Sequence, residues 1–255
     1  MTQSIDQGMP RLAVLNLSAA ALHIAAAIAL LTVRAPNSLL APVQLSLYSN
    51  QTEPFAAVDF AGAAAVVALI AAAARLIVLV PAVRTFYERG LREGRHPIRW
   101  IEYSQTAGIT TFLVALANGV AEAGALILVY AIAAGSVMLL WLQDRSTVTG
   151  ARGLLPFSIG AAIAIVPWGV IALYELVGLL TGSPLSLLGR MVTLALLIIA
   201  AAQWVNVWLD HQQRSAWASP VMAERVHIGL ALATSGVFLA LVLLAPIAGP
   251  EEWML

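Results

Sequence analysis

Two oppositely charged side chains, Arg75 and Glu102, lie inside long apolar stretches of this sequence. A charge at membrane depth costs about 3 kcal/mol, and an opposite charge beside it offsets part of that cost. Arg75 precedes Arg84 by nine residues, roughly 13 Å along a helix, and Glu102 lies about one and a half turns in from the same side. We therefore expect the two side chains to pair, directly or through water. The alternatives are that Arg75 extends toward the headgroups and that Glu102 complements its helix dipole.

His23 is a third ionisable side chain inside an apolar stretch, where a lone histidine is more often a packing residue than a ligand. No second histidine stands at helical ligand spacing from it, and the sequence has no cysteine, so no metal site is expected. The sequence also lacks a glycine-rich phosphate loop, a His-Glu-x-x-His pattern and a convincing nucleophile elbow. No enzymatic activity is therefore predicted.

The elements that must position these residues are membrane helices. The chain of 255 residues is 61% hydrophobic and 10% charged, whereas a soluble domain carries about 25% charged residues. We predict an all-α membrane protein in which residues 1–255 form a single seven-transmembrane-helix domain. Each apolar stretch has the roughly 20 residues that cross a bilayer, and the seven stretches are 12–33, 58–82, 98–118, 123–142, 154–179, 187–209 and 225–247.

The distribution of arginines predicts the orientation of the bundle. With the N-terminus in the cytoplasm and the C-terminus outside, ten of the thirteen arginines fall on the inner side, as the positive-inside rule favours. These ten are Arg11, Arg84, Arg89, Arg92, Arg95, Arg99, Arg145, Arg152, Arg214 and Arg225. We expect a multi-pass protein of the plasma membrane that contacts membrane lipids. The net charge of zero gives no reason to expect nucleic acid as a partner.

Two connections are longer than the others. The outer connection, residues 34–57, contains the alternating stretch Val43–Ser49, which predicts a short strand or hairpin. The inner connection, residues 84–99, carries five arginines; such a loop contacts anionic headgroups, or could dock an unidentified cytoplasmic partner. Pro97 is expected to begin the third helix, and Pro167 to bend the fifth.

Several motifs, from Arg99 onward, are similar to those of the heliorhodopsin family. The stretch Arg99–Ser104, RWIEYS, resembles the third-helix signature of that family, whose glutamate is the counterion of a retinal Schiff base. His23 matches a family histidine in the cavity near the Schiff base. The resemblance implies a rhodopsin-like bundle with its N-terminus inside, and a homodimer. The other matching motifs are Trp141–Arg145, Leu154–Phe157, Ile165–Trp168 and Glu224-Arg225.

The sequence departs from the family where retinal would be attached. It contains no lysine, and, counted without gaps from Glu224, the retinal lysine of the family falls on Ser235. One turn earlier, where the family often has serine, this chain has Ala231, and a second family histidine falls on Arg75. Without a side-chain amine a retinal Schiff base cannot form, so no covalent cofactor is expected. The resemblance implies that Arg75 replaces the lost positive charge beside Glu102.

The favoured function is a non-pumping sensory, regulatory or scaffold role without a retinal Schiff base. The alternative is a non-covalent binder of retinal, a carotenoid or a lipid in the former chromophore pocket. A small transporter or channel that uses Arg75 and Glu102 is less favoured, because no inverted repeat is evident and few polar residues line a continuous path. The pocket candidates are His23, Tyr103, Ser104, Trp168, Ala231, Ser235 and Gly236.

Overall fold

The computed structural model describes residues 2–32, 40–46, 52–148, 153–213 and 215–248. Within these ranges the chain forms eight α-helices and one two-stranded sheet. The strands are β1 (Leu40–Ser46) and β2 (Thr52–Asp59). The helices are α1 (Thr2–Thr32), α2 (Phe60–Ile77), α3 (Pro81–Arg92), α4 (Pro97–Ala117), α5 (Ala123–Val148), α6 (Leu155–Thr181), α7 (Leu187–Gln212) and α8 (Pro220–Ala248), with a 3-10 turn at Ser215–Ala218.

Six of these helices are long and apolar enough to cross a membrane. Their apolar segments are Met9–Thr32, Phe60–Ile77, Ala123–Ser146, Leu155–Thr181, Leu187–Gln212 and Val221–Leu244. The remaining long helix, α4, has 21 residues and carries both Arg99 and Glu102 near its start. Each of the seven predicted stretches therefore coincides with a helix, whereas the number of crossings and the orientation stay predictions.

The predicted second span was too long, and the inner connection after it was wrongly predicted to be a loop. Helix α2 ends at Ile77, and the backbone turns through residues 78–80, where the amide of Leu79 bonds the carbonyl of Leu76. Pro81 then begins α3, because its ring fits a first helical turn but cannot continue a preceding helix. Most of the predicted arginine-rich loop is therefore helical.

Helix α3 packs against the bundle through its C-terminal half. Leu91 is fully buried in a cluster with Leu12 of α1 and Ile228 of α8. Gly90 allows the chain to fold back directly after the helix, since a side chain there would lie 2.7 Å from the carbonyl oxygen of Arg95. The amide of Arg95 bonds the carbonyl of Gly90 at 2.8 Å, which directs the chain into α4.

The predicted outer strand is part of a hairpin. Strands β1 and β2 pair antiparallel, with an irregularity between Val43 and Gln44. Of the alternating stretch 43–49, residues 47–49 lie outside the described residues. The amide of Gln44 bonds the carbonyl of Ala121 at 2.8 Å, so the hairpin is fixed to the chain just before α5. Asp59 ends β2 and caps α2 by accepting from the amide of Gly62.

The long helices alternate in direction and pack as neighbours. Helix α1 contacts α2 and α8, α2 contacts α4, α4 contacts α5, and α7 contacts α8. As a result α2, α5 and α7 end where α4, α6 and α8 begin. We call this the arginine-rich end; it carries α3 with its arginines. At the opposite end the buried core is mainly apolar, with Leu113, Leu116, Phe238 and Leu241 among its members. Asn118 and Thr193 are also buried there, and the Asn118 amide donates to the Thr193 hydroxyl.

Candidate functional site

The buried charges gather at the arginine-rich end because four helices end or begin there. Arg75 lies in the last turn of α2, and Glu102 lies in the second turn of α4. Glu224 lies in the second turn of α8, and Asp210 lies near the end of α7. Arg75, Glu102 and Glu224 are each no more than 3% exposed.

Arg75 bridges two carboxylates that belong to different helices. Its Nη2 donates to Glu102 Oε2 at 3.1 Å, and its Nη1 lies 3.6 Å from Glu224 Oε1. The guanidinium therefore points into the bundle, and not toward the headgroups as the snorkelling alternative requires. The structure brings the two predicted partners together, whereas the replacement of a chromophore charge by Arg75 stays a prediction.

Glu102 has a second partner, His227, on α8. His227 Nε2 lies 2.7 Å from Glu102 Oε2, and His227 Nδ1 lies 3.2 Å from Gln203 Oε1. The side-chain amide of Gln203 is held in this orientation because its Nε2 donates to the backbone carbonyl of His227. Both imidazole nitrogens thus lie within hydrogen-bond distance of side-chain oxygens, which holds the ring between Glu102 of α4 and Gln203 of α7.

Arg99 is a further buried cation that sequence reasoning placed in the inner connection. It is 3% exposed; its Nε lies 3.1 Å from Glu224 Oε2 and its Nη2 4.0 Å from Asp210 Oδ2. Arg75 and Arg99 together face three carboxylates, those of Glu102, Glu224 and Asp210. Opposite charges this close offset part of the cost of burying ionised groups in this part of the bundle.

Two neutral side chains at the rim complete the network. Tyr87 of α3 donates to Glu224 Oε1 at 3.0 Å, and burial raises the pKa of its phenol well above the usual value. His96 lies 3.7 Å from Asp210 Oδ2 and is almost fully buried. Burial and the nearby Arg99 guanidinium hold the pKa of His96 well below its usual value, so the ring stays neutral near pH 7.

Asp144 connects the end of α5 to the same rim. Its Oδ2 accepts from the backbone amide of His96 at 3.0 Å and from the indole nitrogen of Trp100. The Trp100 ring is fully buried, and the Arg99 guanidinium lies 4.9 Å from its centre. This carboxylate therefore fixes the turn that leads into α4, and with it the positions of Arg99 and Glu102.

A small cavity of about 50 Å³ lies between α2, α4, α6, α7 and α8, on the side of the ion pairs that faces away from the arginine-rich end. Of the predicted pocket residues, Tyr103, Trp168, Ala231 and Ser235 line it, together with Glu102. His23 Nδ1 lies 3.0 Å from the Ser235 hydroxyl, so this histidine reaches the cavity wall through Ser235.

Two predicted pocket residues lie elsewhere. Ser104 is buried, but its hydroxyl donates to the carbonyl of Ile101 within its own helix and does not line the cavity. Gly236 is exposed on the outside of α8. The reason is helical geometry: one residue beyond Ser235, the direction of a side chain turns by about 100°.

Sequence reasoning missed the functional importance of Glu224, His227 and Arg99. The available signal was spacing: Arg99 and Glu102 are three residues apart, as are Glu224 and His227. Residues three apart lie on one helix face. Arg99 and Glu102 therefore both face α8, and Glu224 and His227 both face α4. Glu224 was named only as part of a motif, and Arg99 only as the start of a motif and as one of the inner arginines.

This arrangement of long apolar helices around buried, paired charges defines an integral membrane protein. The family model of the heliorhodopsins, a group of rhodopsin-type membrane proteins, matches residues 12–245. The chain belongs to the heliorhodopsin family. A comparison with curated proteins found no match.

Proposed function

We propose that this heliorhodopsin has a non-pumping sensory, regulatory or scaffold role that does not use a retinal Schiff base. The proposal is carried by one observation. At the position of the former counterion, Glu102 Oε2 is already engaged by Arg75 at 3.1 Å and by His227 at 2.7 Å. Both partners belong to the protein, so the carboxylate has its positive charge without a chromophore.

The position matched to the retinal lysine supports the same proposal. Ser235 is 4% exposed, lines the cavity next to Glu102, and shares a hydrogen bond with His23. A hydroxyl cannot condense with retinal to form an imine. Because the Ser235 hydroxyl already shares a hydrogen bond with His23, it needs no hydrogen-bond partner from a ligand.

The proposal includes the placement of the bundle in the membrane. Helix α4 is the third of seven crossings, because 21 residues span about 31 Å and its charges face partners in the bundle and not lipid. The arginine-rich end faces the cytoplasm of a plasma-membrane protein, and the chain forms a homodimer as the family resemblance implies. The segment from Arg84 to Arg99 remains the candidate surface for a cytoplasmic partner.

Non-covalent binding of retinal, a carotenoid or a lipid is the second candidate function. It is favoured by the apolar lining of the cavity, which includes Val67, Leu196 and Trp168. Its volume of about 50 Å³ is well below the roughly 300 Å³ at which pockets for ligands of this size begin. A polyene would therefore have to open the bundle, so this function requires a second conformation.

A transporter or channel is less favoured by the same geometry. The charged network lies at one end, and beyond Ser235 the described part of α8 buries only the apolar side chains of Phe238, Leu241 and Val242. These pack in the main apolar cluster with Leu113 and Leu116 of α4. An ion leaving Glu102 toward the opposite end would meet this apolar layer, which opposes its passage.

The test is to rebuild the attachment site. The purified protein with added retinal should show no visible absorption band. Ser235→Lys alone should give little visible pigment, because Arg75 and His227 already occupy Glu102 and Arg75 depresses the pKa of a nearby amine. Ser235→Lys combined with Arg75→His should bind retinal better and absorb in the visible.

Two results would overturn the proposal. A strong visible pigment from Ser235→Lys alone would show that Glu102 is free to act as a counterion. A polyene found by mass spectrometry in the purified natural protein would replace the proposed function by the second candidate. Arg84→His combined with Ser235→Lys is the matched control, since Arg84 is exposed and pairs with Glu88 within its own helix.

A further inference from the structure

A second and larger cavity lies at the arginine-rich end, on the side of α3 and α5. Its volume is about 490 Å³, which is within the range of pockets that hold small molecules. We call it the arginine cavity, and its lining residues are Phe86, Arg89, Gly90, Arg95, His96, Pro97, Trp141, Asp144 and Arg145. It is separate from the ion-pair network, although His96 forms part of the wall between them.

The lining of the arginine cavity is strongly basic. Arg89, Arg95 and Arg145 contribute three guanidinium groups, and Asp144 is the only acidic residue among the lining residues. The Asp144 carboxylate already accepts bonds from the His96 amide and the Trp100 indole. His96 stays neutral, because burial and Arg99 hold its pKa well below the usual value. The positive charge is therefore supplied by arginine, whose planar group binds phosphate oxygens in pairs.

Two of these arginines, Arg89 and Arg95, can turn toward a ligand at little cost. Arg95 pairs with Glu93, but both side chains are at least 40% exposed, and exposed pairs of this kind contribute little stability. Arg145 rests against the Trp141 ring, with its guanidinium carbon 5.7 Å from the ring centre, which keeps the charge beside the cavity. Among the described residues no carboxylate forms an ion pair with Arg89.

Part of the lining of the arginine cavity is apolar, which favours an anion that is attached to an apolar group. Phe86 is 54% exposed, and it lines the cavity together with Trp141 of α5. The cavity lies at the helix ends, where α3 follows the last turn of α2 and where α5 finishes. In the membrane placement proposed above, this is the depth of the headgroups, with the phosphate level next to the glycerol and the first acyl carbons. Phe86 and Trp141 can contact that apolar part while the arginines contact the phosphate.

We propose that the arginine cavity binds the phosphate group of an anionic phospholipid from the adjacent leaflet. The inference rests on the proposed placement of the bundle in a membrane, but not on the absence of a retinal Schiff base. The ligand chemistry is a phosphate diester joined to an apolar glycerol backbone. Inorganic phosphate shares the anionic part alone, so it serves as the competing probe.

The experiment measures lipid retention by native mass spectrometry of the purified full-length protein. The protein is equilibrated with phosphatidylglycerol or with phosphatidylcholine, and the variants are R89Q/R145Q and the charge-matched control R84Q/R92Q. Arg84 and Arg92 lie on α3 at the same end but do not line the arginine cavity. Melting temperatures of both variants, recorded in the same detergent, check that they are folded.

The natural protein should retain phosphatidylglycerol in preference to phosphatidylcholine, and R89Q/R145Q should weaken that retention about 30-fold. The control variant should change it less than about threefold, since both variants remove the same charge. Phe86→Ser should weaken retention of phosphatidylglycerol without changing competition by inorganic phosphate.

Three outcomes would overturn the proposal. Equal loss in both double variants would mean a diffuse surface charge and not a site. Full displacement of the lipid by millimolar inorganic phosphate would mean an anion site without lipid selectivity. Unchanged retention in a folded R89Q/R145Q would mean that lipid binds elsewhere. The pigment experiments on Ser235 are independent of all three, so the failure of either proposal can be recognised separately.

Discussion

The arginines at the arginine-rich end form two groups, one buried against carboxylates and one exposed around a cavity. Arg75 and Arg99 are 3% exposed and face carboxylates of α4, α7 and α8. Arg89, Arg95 and Arg145 lie at the same end of the bundle, but their side chains are exposed and line the arginine cavity. The difference is the surrounding dielectric: a buried guanidinium depends on its partners, whereas an exposed one keeps its water and can exchange partners.

The comparison also shows why the number of positive charges alone is a poor guide to function. Of these five arginines, all but Arg75, which lies inside a predicted span, contribute equally to the positive-inside argument, because that rule counts charges near the ends of helices. Only two of the five organise the core. The difference can be measured by removing one arginine from each group.

The largest effect is expected from Arg75→Gln. This change leaves Glu102 and Glu224 buried without the cation that bridges them, and breaking a buried pair in this way costs about 3–5 kcal/mol. The matched control is Arg84→Gln, which removes an exposed i,i+4 pair with Glu88 and should cost at most about 0.5 kcal/mol. The measurement is the free energy of unfolding by denaturant titration in mixed micelles. Equal costs for the two variants would show that Arg75 is not held by the network.

A double-mutant cycle should sharpen the assignment of the partner. Arg75→Gln leaves Glu102 with His227 as its remaining partner, and Glu102→Gln leaves Arg75 with Glu224, whereas the double variant removes both charges of the pair. The double variant should therefore be less destabilised than the sum of the single variants, by about 1–3 kcal/mol. The same cycle with Arg84 in place of Arg75 is the control and should be additive. An additive result at Arg75 would mean that the 3.1 Å contact contributes no coupling.

The helices were largely predictable from the sequence, and the network only in part. Apolar stretches and proline positions locate α4 to α8, because lipid leaves little choice of structure for about 20 apolar residues. The pairing of Arg75 with Glu102 followed from depth along two helices. The contributions of Glu224 and His227 did not follow, since they depend on how α8 is rotated against α2 and α4. Rotation is set by packing, which one sequence does not reveal.

A smaller effect is expected where α3 meets the network. Tyr87→Phe removes the hydroxyl that donates to Glu224 Oε1 at 3.0 Å, leaving that buried carboxylate oxygen one donor short. The expected loss is about 1–2 kcal/mol in the free energy of unfolding. Tyr174→Phe is the control, because Tyr174 is 41% exposed on α6 and should be nearly neutral. A loss at Tyr174 as large as at Tyr87 would attribute the effect to the phenol in general and not to the bond with Glu224.

The smallest effect concerns His96, which stands between the two groups of arginines. Burial and Arg99 hold the pKa of His96 well below its usual value in the folded protein, whereas in the unfolded chain it is about 6.5. As the pH falls below that value, the unfolded state takes up a proton that the folded state does not, so stability is present above pH 6.5 and is lost below it. The natural protein should therefore lose about 1 kcal/mol more than His96→Gln between pH 7 and about 5.5. Parallel melting curves for the two proteins across this range would show that His96 is exposed to water and belongs to the open cavity, and not to the buried network.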